Sequence, residues 1–243
     1  MILFEMKTWD HVVALIICIM APLLAITSRK LAIEDVSLQS KDKLGLYHSN
    51  ALLLVVFSLI VATIWRAPGR PLAGLGFDLP VFHPLVPVFI MGILVFYGAD
   101  LYFQYGTKKY RLQTFNKKQT TLAFIPTNNQ ELIHFTFLAV AAGIGEEIIF
   151  RGFLINYLVW WAGNDYTGII TACIASSALF AFLHGYQGLK SIAKIFLLAI
   201  LFSAVFVYSQ SLLIVVILHI IIDIISGFIS VYFIKHHAEE MEK

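Results

Sequence analysis

Four stretches of this chain run without a single charged side chain: His11 to Ser28, Leu44 to Trp65, Leu79 to Ala99 and Tyr166 to Leu189. A fifth and longer apolar tract, from Ile195 to Ile234, holds only Asp223. A helix crosses the hydrocarbon core of a bilayer with about 20 apolar residues, so each of these intervals is long enough to span one. Seven spans would take about 140 residues on that scale, a little over half of the 243 present. With 59% hydrophobic and 13% charged residues, the chain lacks the polar covering that a water-soluble core of this size needs. A soluble enzyme, a disordered chain and a nucleic-acid-binding domain are all excluded.

The fold class this implies is all-α, a polytopic transmembrane helical bundle. Ser209-Gln210-Ser211 reads as a turn that divides the last tract into spans near 192–208 and 211–234. The tract from Leu132 to Asn164 is interrupted by Glu146, Glu147 and Arg151 and is longer than one crossing requires. It is either one tilted helix or two shorter segments, so the count is seven, with eight allowed. The leader before the first run carries Glu5 and Asp10 against Lys7, which is unlike the positive start of a cleaved signal peptide. No repeat interrupts the pattern, and residues 1–243 read as one integral-membrane domain. Cys18 and Cys173 lie inside apolar runs, so a disulfide framework is not expected.

Loop cations assign a direction. With seven spans, thirteen fall on one side: Arg29, Lys30, Lys41, Lys43, Lys108, Lys109, Arg111, Lys117, Lys118, Lys190, Lys194, Lys235 and Lys243. The other side has Lys7, Arg66 and Arg70. The N-terminus is therefore expected outside and the C-terminus in the cytoplasm, with a bacterial plasma membrane as the expected setting. The basic connection from Thr107 to Asn129 reads as a solvated loop against anionic lipid headgroups. The bilayer is thus the first expected partner, and nucleic acid is not one.

Ionisable groups at membrane depth cost at least about 2.5 kcal/mol each, so they are usually functional. Glu146, Glu147, Arg151, His184, His219 and Asp223 form such a set on three separate apolar segments. Residues four apart share a helix face, which lets Glu147 pair with Arg151. Glu146 is turned about 100° away by the helical pitch and has no partner in its own helix. That makes it a candidate general base. Phe180 and His184 share a face, as do His219 and Asp223. Facing helices carrying these groups could activate a water and stabilise an oxyanion. They could equally ligate a divalent metal such as zinc through Glu146, His184, His219 and Asp223.

The motifs Glu146-Glu147-x-x-x-Arg151, Phe180-x-x-x-His184 and His219-x-x-x-Asp223 resemble, in order and spacing, those of the CAAX-protease and bacteriocin-processing family of intramembrane proteases. That family includes the type II CAAX prenyl endopeptidases. Gly152 after Arg151 and the Leu75-Gly76-Phe77 element are also similar, and the resemblance covers roughly 70–234 as a protease core. It implies that Glu146 and His184 activate the attacking water, that His219 and residue 223 sit at the oxyanion, and that Glu147 and Arg151, with Phe180, support the site. Members have been described both as metalloproteases and as metal-free enzymes. The family often has Asn where this chain has Asp223. An ionised Asp only accepts hydrogen bonds, so it is protonated, binds a metal or orients His219 from behind, the last being the least costly.

The expected function is hydrolysis of a peptide bond in a membrane-associated substrate, of prenylated CAAX or leader type. The alternative is a non-proteolytic scaffold, immunity or regulatory protein of the same family. A proton-coupled transporter using the same Glu, His and Asp is a third reading, disfavoured because no repeat symmetry is evident.

Overall fold

The computed structural model describes residues 4–26, 40–118 and 124–241. Among them are eight helices and no strand, and seven of the helices are long and apolar enough to cross a membrane. These are α1 (Thr8–Ile26), α2 (Ser40–Arg66), α3 (Leu85–Tyr105), α5 (Asn129–Ala162), α6 (Tyr166–Leu183), α7 (Leu189–Ser209) and α8 (Leu212–Met241), with Leu212–His236 as the apolar part of α8. The eighth, α4 (Lys108–Lys118), is too short and too basic to cross. Arg29, Lys30 and Lys243 lie outside the described residues.

The interrupted tract resolves into one helix: α5 runs unbroken through Glu146, Glu147 and Arg151. The turn at Ser209-Gln210-Ser211 forms as its composition suggests, with Gln210 in the left-handed region at φ 55°. The basic connection differs from its expected loop. Thr107 Oγ1 accepts from the Tyr110 backbone N–H at 3.2 Å, and the Tyr110 ring packs edge-on against Tyr102 and Phe103. A capped first turn and an aromatic anchor are enough to make a helix of a Lys-, Arg- and Gln-rich segment.

Helix α5 is the hub. It packs against α2, α6 and α8, and 44% of its apolar window is buried, against 11–33% for the other spans. Its middle reads Ala139-Val140-Ala141-Ala142-Gly143-Ile144-Gly145, and small residues let neighbouring backbones come close where hydrocarbon gives no hydrophobic drive for association. A Cβ on Gly143 would stand 2.5 Å from Ile220 Cγ1 of α8, and one on Gly152 would stand 2.8 Å from the Leu75 carbonyl oxygen. Both neighbours hold motif segments in place.

Two buried ion pairs fasten the ends of this core. Arg70 donates to Asp10 at 2.6 Å and lies over the Trp65 ring, tying α1 to the end of α2. Near the other end of α2, Lys43 pairs with Glu131 at 3.3 Å, and Ser40 and Thr127 also donate to that carboxylate. Beside the first of these fastenings, the 3₁₀ turn Leu72–Leu75 packs against α5, where Asn156 Nδ2 donates to Gly74 O at 3.0 Å and Gly152 O at 2.6 Å.

Gly152→Ala places a methyl group against a backbone oxygen that cannot rotate away. Overpacking of this kind costs about 1–3 kcal/mol, so the variant should melt several degrees lower in detergent, whereas Gly98→Ala, with open space around its Cβ, should not. Equal melting temperatures would refute the close approach.

Candidate active site

The first motif lies at the centre of α5, where the helix changes pitch. Residues Ile148–Leu154 form a π-helical segment, all of it buried, starting directly after Glu147. A π turn leaves backbone carbonyls imperfectly paired, and side chains take them up: Ser176 Oγ donates to Phe150 O at 3.1 Å, and Asn156 Nδ2 to Gly152 O. Hydropathy carries no signature of this widening, because the segment is apolar in either pitch.

The Glu147–Arg151 pair forms as its spacing requires. Arg151 Nη1 donates to Glu147 Oε1 at 2.9 Å, with side-chain exposures of 3% and 0%. The guanidinium also lies 4.7 Å above the Phe180 ring and 5.6 Å from that of Phe202, so its positive charge is spread over aromatic faces as well as a carboxylate. Phe202 was not legible as a site residue, being one apolar side chain among many in α7.

The same Glu147 oxygen receives a second donor from across the bundle. His219 of α8 donates from Nδ1 to Glu147 Oε1 at 2.8 Å. With Nδ1 committed, Nε2 faces inward, 3.7 Å from Glu146 Oε2 and 3.7 Å from Asp223 Oδ2. The carboxylate that orients His219 from behind is therefore Glu147 and not Asp223, which stands beside Nε2. Glu146, without a partner in its own helix, finds its neighbour on α8.

His184 is the C-cap of α6, and its Nδ1 donates to Phe180 O at 2.8 Å. That bond leaves Nε2 as the available nitrogen. The Phe180 ring stands 4.6 Å from the His184 ring and 6.3 Å from that of His219. Phe180 thus touches both histidines and Arg151, which gives it a packing role in the site rather than a merely apolar one. Tyr186, two residues beyond His184, lies 6.2 Å from its ring and 5.9 Å from Phe124, and was not anticipated from sequence.

Glu146, His219 and Asp223 keep side-chain exposures of 17%, 14% and 32%, so the inward nitrogen borders open space while the Glu147–Arg151 pair behind it is sealed. Among the described residues no group of three or more His, Cys, Asp and Glu side chains is arranged to hold a metal ion. The chemistry considered below runs through the side chains.

Fold and site together define a multi-pass helical membrane protein with a carboxylate–histidine cluster at membrane depth. Residues 128–225, which carry all three motifs, match the family described as Type II CAAX prenyl endopeptidase Rce1-like, and this supports the similarity to the CAAX-protease and bacteriocin-processing family. No curated protein and no solved structure matches the chain.

Removing one partner of a buried pair strands the other charge, at about 3–5 kcal/mol. Arg151→Met alone should therefore destabilise strongly, and the double variant Glu147→Gln, Arg151→Met by clearly less than the sum of the single changes. Thermal denaturation of the four proteins in one detergent measures this, and additive losses would refute the coupling.

Proposed function

We propose that the chain is an intramembrane endopeptidase that hydrolyses a peptide bond with water activated by Glu146 and His184. The observation that carries this reading is the convergence of the first and third motifs on His219, with Phe180 of the second 6.3 Å from its ring. Its Nδ1 is fixed by Glu147, while Nε2 lies 3.7 Å from both Glu146 and Asp223. Such a cluster supplies a base, an orienting imidazole and a proton donor around one small volume.

In this mechanism Glu146 takes a proton from water as the water oxygen bonds to the scissile carbonyl carbon. His184 holds the water through Nε2. The carbonyl oxygen becomes an oxyanion, which accepts a hydrogen bond from protonated Nε2 of His219, itself held by Glu147. Glu146 then returns its proton to the leaving nitrogen as the C–N bond breaks. Asp223 balances charge beside Nε2 and leaves oxyanion donation to His219.

Seven spans put the termini on opposite sides, and the loop cations divide thirteen to three in favour of the C-terminal side. By the positive-inside rule that side is cytoplasmic. His184 closes α6 there, so substrate reaches the site from the cytoplasmic half of the bilayer. The substrate class is a membrane-associated peptide or protein, with prenylated CAAX-type termini and leader peptides as the chemistries to test.

Detergent-purified protein and its Glu146→Gln variant, offered a quenched fluorescent peptide library that includes prenylated C-termini, provide the test. The variant should lose about 10²–10⁴-fold in kcat/KM, the range for removing a general base, with its melting temperature unchanged. Parallel reactions with a strong chelator should run at the untreated rate. Equal cleavage by both proteins would overturn Glu146 as the base, and folded wild type that cleaves nothing would favour the non-proteolytic alternative.

A further inference from the structure

Hydrolysis at membrane depth requires a supply of water, and the bundle offers a polar route. Helix α8 carries His219, Asp223 and Ser226 at helical spacing on one stripe. Helix α3 carries Tyr97, Asp100 and Gln104 in the same manner. The two stripes meet: Tyr97 hydroxyl donates to Ile222 O at 3.2 Å and lies 2.8 Å from Ser226 Oγ. Towards the loop side Asp100 accepts from Gln104 Nε2 at 2.6 Å and pairs with Lys194 of α7. From Tyr97 to Gln104 the rise is about 10 Å at 1.5 Å per residue, which brings the column to the end of α3 beside the basic connection.

These groups are not sealed. Side-chain exposure is 32% at Asp223, 20% at Asp100 and 44% at Lys194. Charged groups opening directly onto hydrocarbon carry the insertion cost of at least about 2.5 kcal/mol each, whereas the same exposure to a hydrated cleft does not. Dry hydrogen bonding between helices would account for Tyr97 and Ser226 but not for two half-buried carboxylates on the same stripes.

We infer that the facing polar stripes of α3 and α8, with Lys194 of α7 at the mouth, form a hydrated path that brings water from the basic face of the membrane to the Glu146–His219–Asp223 cluster. Tyr97 is a positioning residue on this path, holding the α8 turn that bears Asp223. The inference gives a purpose to the hydrolytic reading and rests on it for that purpose, but the hydration itself can be measured without any substrate.

The test uses full-length protein in sided vesicles, with Cys18 and Cys173 replaced by Ser so that each probe cysteine is the only thiol. Ser226→Cys should react with a membrane-impermeant charged thiosulfonate at least tenfold faster than Phe228→Cys, which is exposed on the same helix, and only from the side on which Lys108→Cys reacts. Unmodified protein exposed to hydroxyl radicals should become oxidised at Tyr97 ahead of Phe228, which keeps the test valid should a cysteine variant misfold. Labelling of Ser226→Cys no faster than Phe228→Cys, or Tyr97 left unoxidised, would overturn the path. Absence of peptide cleavage alters neither readout, so failure of the protease reading is distinguishable from failure of the path.

Discussion

The structure depends on one carboxylate oxygen. Glu147 Oε1 accepts from Arg151 within its own helix and from His219 of α8, and it does so with no exposure to solvent. Its other oxygen, Oε2, is buried without a hydrogen-bond partner among the described residues, so the two donors to Oε1 carry the stabilisation of this buried charge and hold the helices that bear them in a fixed relation. Phe180 extends the same constraint to α6 by lying beneath the guanidinium and between the two histidines. The polar groups that are costly in a membrane are thereby the ones that specify how α5, α6 and α8 sit together.

Packing makes this polar arrangement possible. The glycine and alanine run before Glu146 lets α2 and α8 approach the backbone of α5, and Gly152 admits the Leu72–Leu75 turn on the far side of the motif. Buried pairs at either end of α2, Arg70 with Asp10 and Lys43 with Glu131, limit how far these helices can slide. The site is consequently rigid behind and open in front. The Glu147–Arg151 pair is sealed, while Glu146, Asp223 and the inner nitrogen of His219 face accessible space. This division keeps the Glu147–Arg151 pair from water and leaves the neighbouring ionisable groups within its reach.

Much of this was legible beforehand. Four charge-free runs and two longer apolar tracts located the seven spans, because crossing hydrocarbon imposes a length and a composition that no local context relaxes. The four-residue spacing of Glu147 and Arg151 announced their pairing, and Glu146, His219 and Asp223, isolated among apolar residues, do lie together. Other features were hidden. Lys43 counted only as a loop cation, although it is buried against Glu131. The connection after α3 looked like a loop although it forms α4. Phe202 was indistinguishable from lipid-facing phenylalanines, since chemistry alone does not say which face of a helix looks inward.

The sequence by itself determined the all-helical membrane architecture, a span count of seven or eight, and the groups too costly to be there without a partner or a purpose. Each of these follows from hydropathy and helical period, which are properties of a segment taken alone. Tertiary structure decided which partner each group received. Glu147 rather than Asp223 holds His219, Asp223 lies on the open side of the ring, and Tyr97 reaches from α3 to α8. Those choices depend on distances between helices, which are set by where small residues allow backbones to approach and by the π-helical turn in α5, and neither is encoded in any one segment's periodicity.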